Sequence, residues 1–181
     1  TPANLTVSLS GAAERPNPVA SLATARGVLS LAGNQLSFDI AYEGLPTPAT
    51  GAHFHGRSTT AGTAGVMISL QPFNGGAFGT SGRLSGTIEL TAAQLAAFID
   101  GQVYANIHTA GNGGGEIRGQ VSAELSGVAL TASMSGAAEK PNSVNTTATG
   151  AGLFRVEGNN LIFHIAYSGL TGPASAAHFH G

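Results

Sequence analysis

The stretch AHFHG at residues 52–56 returns at 177–181, and it closes a much longer repetition. SLSGAAERPNPV at 8–19 returns as SMSGAAEKPNSV at 133–144, and GNQLSFDIAYEGL at 33–45 returns as GNNLIFHIAYSGL at 158–170. Gly11 recurs as Gly136 and His53 as His178, an offset of 125 residues each time. Residues 4–56 align with 129–181 without a gap, and more than half of the aligned positions are identical. A repeat of this length is a duplicated domain, not the short-period unit of a solenoid. The second copy has no counterpart to the segment from about 57 to 126. The chain therefore divides into one whole domain over 1–126 and the first half of another over 127–181. A half-domain leaves strand edges unpaired and a core half covered. The natural polypeptide is thus expected to continue past Gly181. Alternatively, the open edges of 127–181 can accept a strand from a neighbouring chain and give head-to-tail self-association.

The fold class follows from local patterns. Leu36, Phe38, Ile40 and Tyr42 alternate with Ser37, Asp39 and Ala41, which is the period of a half-buried strand. The second copy repeats it, placing Leu161, Phe163, Ile165 and Tyr167 inside. GNQ and GNN read as tight turns from preceding strands at Gly27–Leu31 and Gly152–Val156. Further strands are expected at 4–10, 51–56, 65–71, 82–90, 102–108 and 115–122. One short helix is signalled over 91–100, where Thr91 and Gln94 form a capping box and Gly101 supplies the stop. Many short strands with glycine-rich turns indicate an all-β protein, an antiparallel β-sandwich or barrel. Composition agrees: 27 glycines, 42% hydrophobic residues and only 9% charged residues describe a β-rich secreted or surface protein.

Composition also removes classes of function. A net charge of −2 with scattered basic residues gives no electrostatic footprint for nucleic acid. No apolar run approaches the roughly 20 residues that span a bilayer as a helix. With no cysteine there is no disulfide, thiolate metal site or cysteine nucleophile. No Ser-His-Asp arrangement, phosphate-cradling loop or glycosidase carboxylate pair is evident.

What chemistry remains is carried by histidine. On a strand, residues two apart share a face, so His53 and His55 project together while Phe54 faces away. The same holds for His178 and His180. In residues 102–108, alternation places Tyr104, Asn106 and His108 on one face and Val103, Ala105 and Ile107 on the core face. If the two strands are neighbours, His53, His55 and His108 converge, and three imidazoles with an open position suit Cu(II) or Zn(II). Met67 and Met134 are the only sulfur ligands, which excludes a blue-copper centre. The bland alternative is a set of hydrogen-bonded surface imidazoles. His164 replaces Asp39 on the outward face of its strand and reads as solvated. In GGGEIRGQV, Glu116, Arg118 and Gln120 share one face. Glu116 or Arg118 can orient a metal ligand, but a Glu–Arg network pinning the glycine loop is favoured. Glu14 and Glu139 read as loop-fixing residues.

In this order, GAAERPNPV, GNQLSFDIAYEGL, AHFHG and GQVYANIHTAGNGGGEIRGQV resemble the CHRD domain, a module named after chordin and found in secreted bacterial proteins. The resemblance covers 1–126 as a whole domain and 128–181 as the first half of another. It implies an extracellular β-rich module and assigns no activity. The strand-borne HxH is also similar to the copper ligands of Cu,Zn superoxide dismutases, but the cysteine pair and the zinc loop of that family are missing.

Three functions compete on these grounds. The first is a secreted, non-catalytic module binding copper, zinc second, through His53, His55 and His108, with His178 and His180 opening a second site. It serves a surface layer, matrix or fibre. The second is a copper-dependent oxidoreductase of dismutase-like chemistry. The third is a metal-free adhesive domain.

Overall fold

The computed structural model describes residues 2–123, 128–157 and 160–180. The expected domain boundary at 126/127, most of the GNN turn and Gly181 lie outside the described residues. Strands run over Ala3–Ser10 (β1), Thr24–Ala32 (β2), Gln35–Glu43 (β3), Ala49–Gly56 (β4), Val66–Ser69 (β5), Gly82–Glu89 (β6), Val103–Thr109 (β7), Ile117–Gln120 (β8) and Ser122–Ala123 (β9). A helix, α1, spans Ala92–Ile99 between β6 and β7. These nine strands form one antiparallel sheet in the order β5-β4-β7-β8-β1-β2-β3-β6, with β9 added against β1. The strand expected at 115–122 is broken at Val121, whose side chain is buried and whose N–H donates to Val103 O at 2.8 Å.

The sheet curls into a half-barrel. β3 and β4 stand near opposite ends of the strand order, yet Phe38 on β3 meets Phe54 on β4 edge to face at 5.7 Å. Between them lies the core predicted from alternation: Leu36, Phe38, Ile40 and Tyr42 from β3, and Val103, Ala105 and Ile107 from β7. α1 closes one side with Phe98, whose ring lies 5.4 Å from that of Phe54. Its capping box is present in both directions: Gln94 N–H donates to Thr91 Oγ1 at 3.3 Å, and Thr91 N–H donates to Gln94 Oε1 at 2.9 Å. Gly101 ends the helix at φ 67°, a left-handed conformation that costs glycine little.

The second copy forms a three-stranded sheet, β10 (Val128–Ser135), β11 (Thr149–Glu157) and β12 (Asn160–Ser168). Here the sequence expectation fails. Leu161, Phe163, Ile165 and Tyr167 are exposed, not inside. In the first copy the same face of β3 is covered by Phe54 and Phe73, and the core continues through Leu84 and Phe98. Of these four, only Phe54 has a counterpart, Phe179, which touches Phe163 and Phe154. The opposite face, with Ala151, Leu153 and Ala166, joins the core of the first domain, and β11 and β12 lie against α1. His164 is on that face. It is half-buried, lining a small cavity with Ala3, Asn4 and Leu153, so the expectation of a solvated histidine is also corrected.

Candidate metal centre

The two strands that carry the histidines are neighbours. β4 pairs antiparallel with β7, setting Gly51 opposite His108, His53 opposite Asn106, and His55 opposite Tyr104. With Phe54 locked into the core, the period of two forces His53 and His55 out of the other face, where His108 also projects. The ligand nitrogens of His53, His55 and His108 all lie within 4.8 Å of one another. His53 Nδ1 and His108 Nε2 are 3.0 Å apart, a spacing that a shared proton or a shared cation can occupy.

Gly51 leaves room for this convergence. A Cβ there would stand 3.2 Å from His53 Cε1 and 3.9 Å from His108 Cδ2, so the His53 ring would have to give by a few tenths of an ångström. The aligned residue of the second copy is Ala176. Nothing in the spacing of AHFHG announced this role. The stretches TGAHFHG and SAAHFHG differ at two positions, and the glycine-to-alanine change is the one beside the histidines.

Hydrogen bonds set the tautomers. His55 Nδ1 is 3.0 Å from Ala64 O, and His108 Nδ1 is 3.0 Å from Gly113 O. A carbonyl only accepts, so both rings carry their proton on Nδ1 and leave Nε2 bare. Ligating histidines are oriented in this way, with the far nitrogen donating to a backbone carbonyl. His55 Nε2 is buried without a hydrogen-bond partner, which a cation would supply. Two amide oxygens, Asn106 Oδ1 and Gln120 Oε1, share that condition.

Electrostatics keep the three rings neutral. Burial lowers the pKa of all three histidines below the usual 6.5. For His53, the neighbouring His108 and His55 lower it further. Neutral imidazoles are the form that ligates. The donor set is three nitrogens with no thiolate, and Met67 packs against the core, so the chemistry suits Cu(II) or Zn(II).

The flanking polar residues divide. Glu116 and Arg118 are both buried but do not pair; among the described residues the salt bridges are Arg57–Asp100 and Arg83–Asp39. The expected Glu–Arg network is therefore replaced by two separate attachments. Glu116 accepts from Thr109 Oγ1 at 2.9 Å and from Asn112 Nδ2. Burial pushes its carboxyl up, but hydrogen bonds from Ser21, Asn112 and Thr109 outweigh this and hold it below the usual range. This carboxylate fixes the 109–115 turn that carries Gly113 O. Arg118 donates to Thr59 O at 3.0 Å and lies 3.6 Å above the Tyr104 ring. Glu14 does fix a loop: it is buried and accepts from Asn106 Nδ2 at 2.7 Å, and burial pushes its pKa up to about 7. Glu139 is exposed, and the second copy contains no counterpart of Asn106.

His178 and His180 are exposed, with ring centroids 5.9 Å apart, in a segment without strand structure. The strands that hold β4 in place, β5 and β7, have no counterparts in the second copy.

A family model described as the CHRD domain matches residues 5–121 and 130–181, a full domain and a partial second one. No curated protein and no solved structure matches the chain. Among the described residues, no helix is long and apolar enough to cross a membrane.

Proposed function

The chain belongs to the CHRD-domain family, and on that premise we propose that it is an extracellular structural module whose complete domain binds one copper ion, zinc second, through His53, His55 and His108. The carrying observation is the pair of histidines whose Nδ1–H groups are tied to backbone carbonyls. This leaves His55 Nε2 bare and buried beside the other two ligands. Such a site is built in advance of its ion, so binding orders little and stabilises the half-barrel by linkage. A bound cation there cross-links β4 to β7. That supports a holding role in a matrix or fibre, and the exposed apolar side of β12 supports self-association. His178 and His180 enter this reading only as ligands awaiting a partner strand.

The pH dependence follows from the depressed histidine pKa values. Protons compete with the metal only when the folded rings take them up, which begins below 6.5. Copper affinity is therefore expected to be level from about pH 8 to about 6.5 and to fall by about tenfold or more near pH 5. The same sign applies to stability. Groups with lowered folded pKa values contribute stability that is present above 6.5 and lost as pH falls. Competitive titration with a chromophoric chelator at the three pH values checks this. A steep loss of affinity between pH 8 and 6.5 contradicts preformed neutral ligands, and no binding at any pH removes the copper reading.

A further inference from the structure

The segment 57–65, RSTTAGTAG, joins β4 to β5 and passes beside the histidine face. It contains no large apolar side chain, and none of its residues is buried. Hydrophobic packing does not hold it. Polar contacts hold it instead: Arg57 pairs with Asp100, Ser58 N–H donates to Gln102 O at 2.9 Å, and side chains of β7 and β8 reach its backbone further along. Gln120 Nε2 donates to Ser58 O at 2.8 Å, and Arg118 donates to Thr59 O at 3.0 Å. The Tyr104 hydroxyl donates to Ala64 O at 3.1 Å and accepts from Ala64 N–H at 3.2 Å. That same Ala64 carbonyl receives the Nδ1–H of His55.

Arg118 is the unusual member. It is 2% exposed, and among the described residues no carboxylate is in ion-pair contact with it. A buried cation without such a partner is costly and needs other compensation. Its compensation is the Thr59 carbonyl, the face of Tyr104 and the longer-range attraction of the buried Glu14 carboxylate. On the β4 side of Tyr104 lies His55, with the two rings parallel within 4° and their centroids 4.8 Å apart. Arg118, Tyr104 and His55 thus form a stack across β8, β7 and β4.

Resting on the metal reading above, we propose that Arg118 and Tyr104 are positioning residues. They clamp the 57–65 strap so that Ala64 O holds His55 with Nδ1 protonated and Nε2 free to ligate. Neither residue touches the ion. The stack fixes the plane of the His55 ring, and the strap fixes its proton.

The test uses Arg118→Met, which keeps the stem but loses the charge and donors, and Tyr104→Phe, which keeps the ring but loses both bonds to Ala64. Two readouts are taken on each. In metal-free protein, long-range 15N–1H NMR reports the His55 tautomer. In the 1:1 complex with Cu2+, the dissociation constant and the number of coordinated imidazoles by EPR report the site. Wild type is expected to show Nδ1–H at His55 and three imidazoles. Both variants are expected to shift His55 toward Nε2–H, to lose one imidazole, and to weaken copper binding by about 10- to 100-fold, with unchanged circular dichroism. If Arg118→Met does not fold, Tyr104→Phe alone decides. Wild-type tautomer and affinity in a folded variant overturn the clamp. A tautomer shift in a protein that binds no Cu2+ upholds the clamp and sinks the metal reading instead.

Discussion

Replacing Phe54 with alanine is expected to destabilise the complete domain by about 3–5 kcal/mol, the range for deleting a buried phenylalanine. Phe54 is fully buried and touches Phe38 and Phe98 edge to face, so its removal opens a cavity between sheet and helix. Collapse around that cavity is limited because the three rings come from β4, β3 and α1, which other contacts hold apart. Urea unfolding should show a lower midpoint with little change in slope. The consequence for function is indirect. Phe54 anchors the strand whose other face carries His53 and His55. If it acts only through stability, a saturating metal ion stabilises Phe54→Ala and wild type by equal amounts, about 2.7 kcal/mol at a hundredfold excess over Kd. A loss below about 1 kcal/mol contradicts its place in the core.

Glu116→Ala is expected to be nearly as damaging, for a polar reason. The substitution leaves Thr109, Asn112 and Ser21 without their acceptor. Donors stranded in a buried site cost about 1–3 kcal/mol each, and about 3–5 kcal/mol in total is reasonable where water cannot reach all of them. Glu116→Gln keeps one acceptor oxygen and is expected to cost less, about 1–2 kcal/mol. The folded pKa of Glu116 is lowered, so its contribution is fully present above the ordinary value of 4.5 and is lost as pH falls below it. The gap between wild type and Glu116→Gln should therefore narrow in acid. The 109–115 turn also carries Gly113 O, so loosening it frees His108 to change tautomer. Metal affinity should fall in both variants. A Glu116→Ala protein as stable as wild type contradicts this role.

Several of these features are legible in the sequence. Alternation placed Phe38, Ile40 and Ile107 in the core, the spacing of His53 and His55 put them on one face, and Thr91 with Gln94 marked the helix start. Each of these is a local, periodic signal. Strand order is not local: the adjacency of β4 and β7, on which the site depends, is a pairing across about 50 residues of sequence. The clearance at Gly51, the polar contacts on 57–65 and the Asn106–Glu14 bond likewise depend on contacts between distant segments and have no periodic signature in the chain. The failures have one physical origin. Leu161, Phe163 and Ile165 have the period of a buried face, but a period shows only that one face is apolar. It does not supply the layer that covers it. In the same way, the spacing of Glu116 and Arg118 puts them on one face of the strand expected at 115–122, while their partners come from elsewhere, Thr109 and Asn112 for one and Thr59 and Tyr104 for the other.

Whether His53, His55 and His108 hold one metal ion is decided by elemental analysis of protein purified without chelator or polyhistidine tag, incubated with excess Cu2+ and desalted. Wild type should retain about one copper per chain, and His53→Ala/His55→Ala should retain essentially none. Retention of no copper or zinc by wild type, or equal retention by the double variant, contradicts a metal site there.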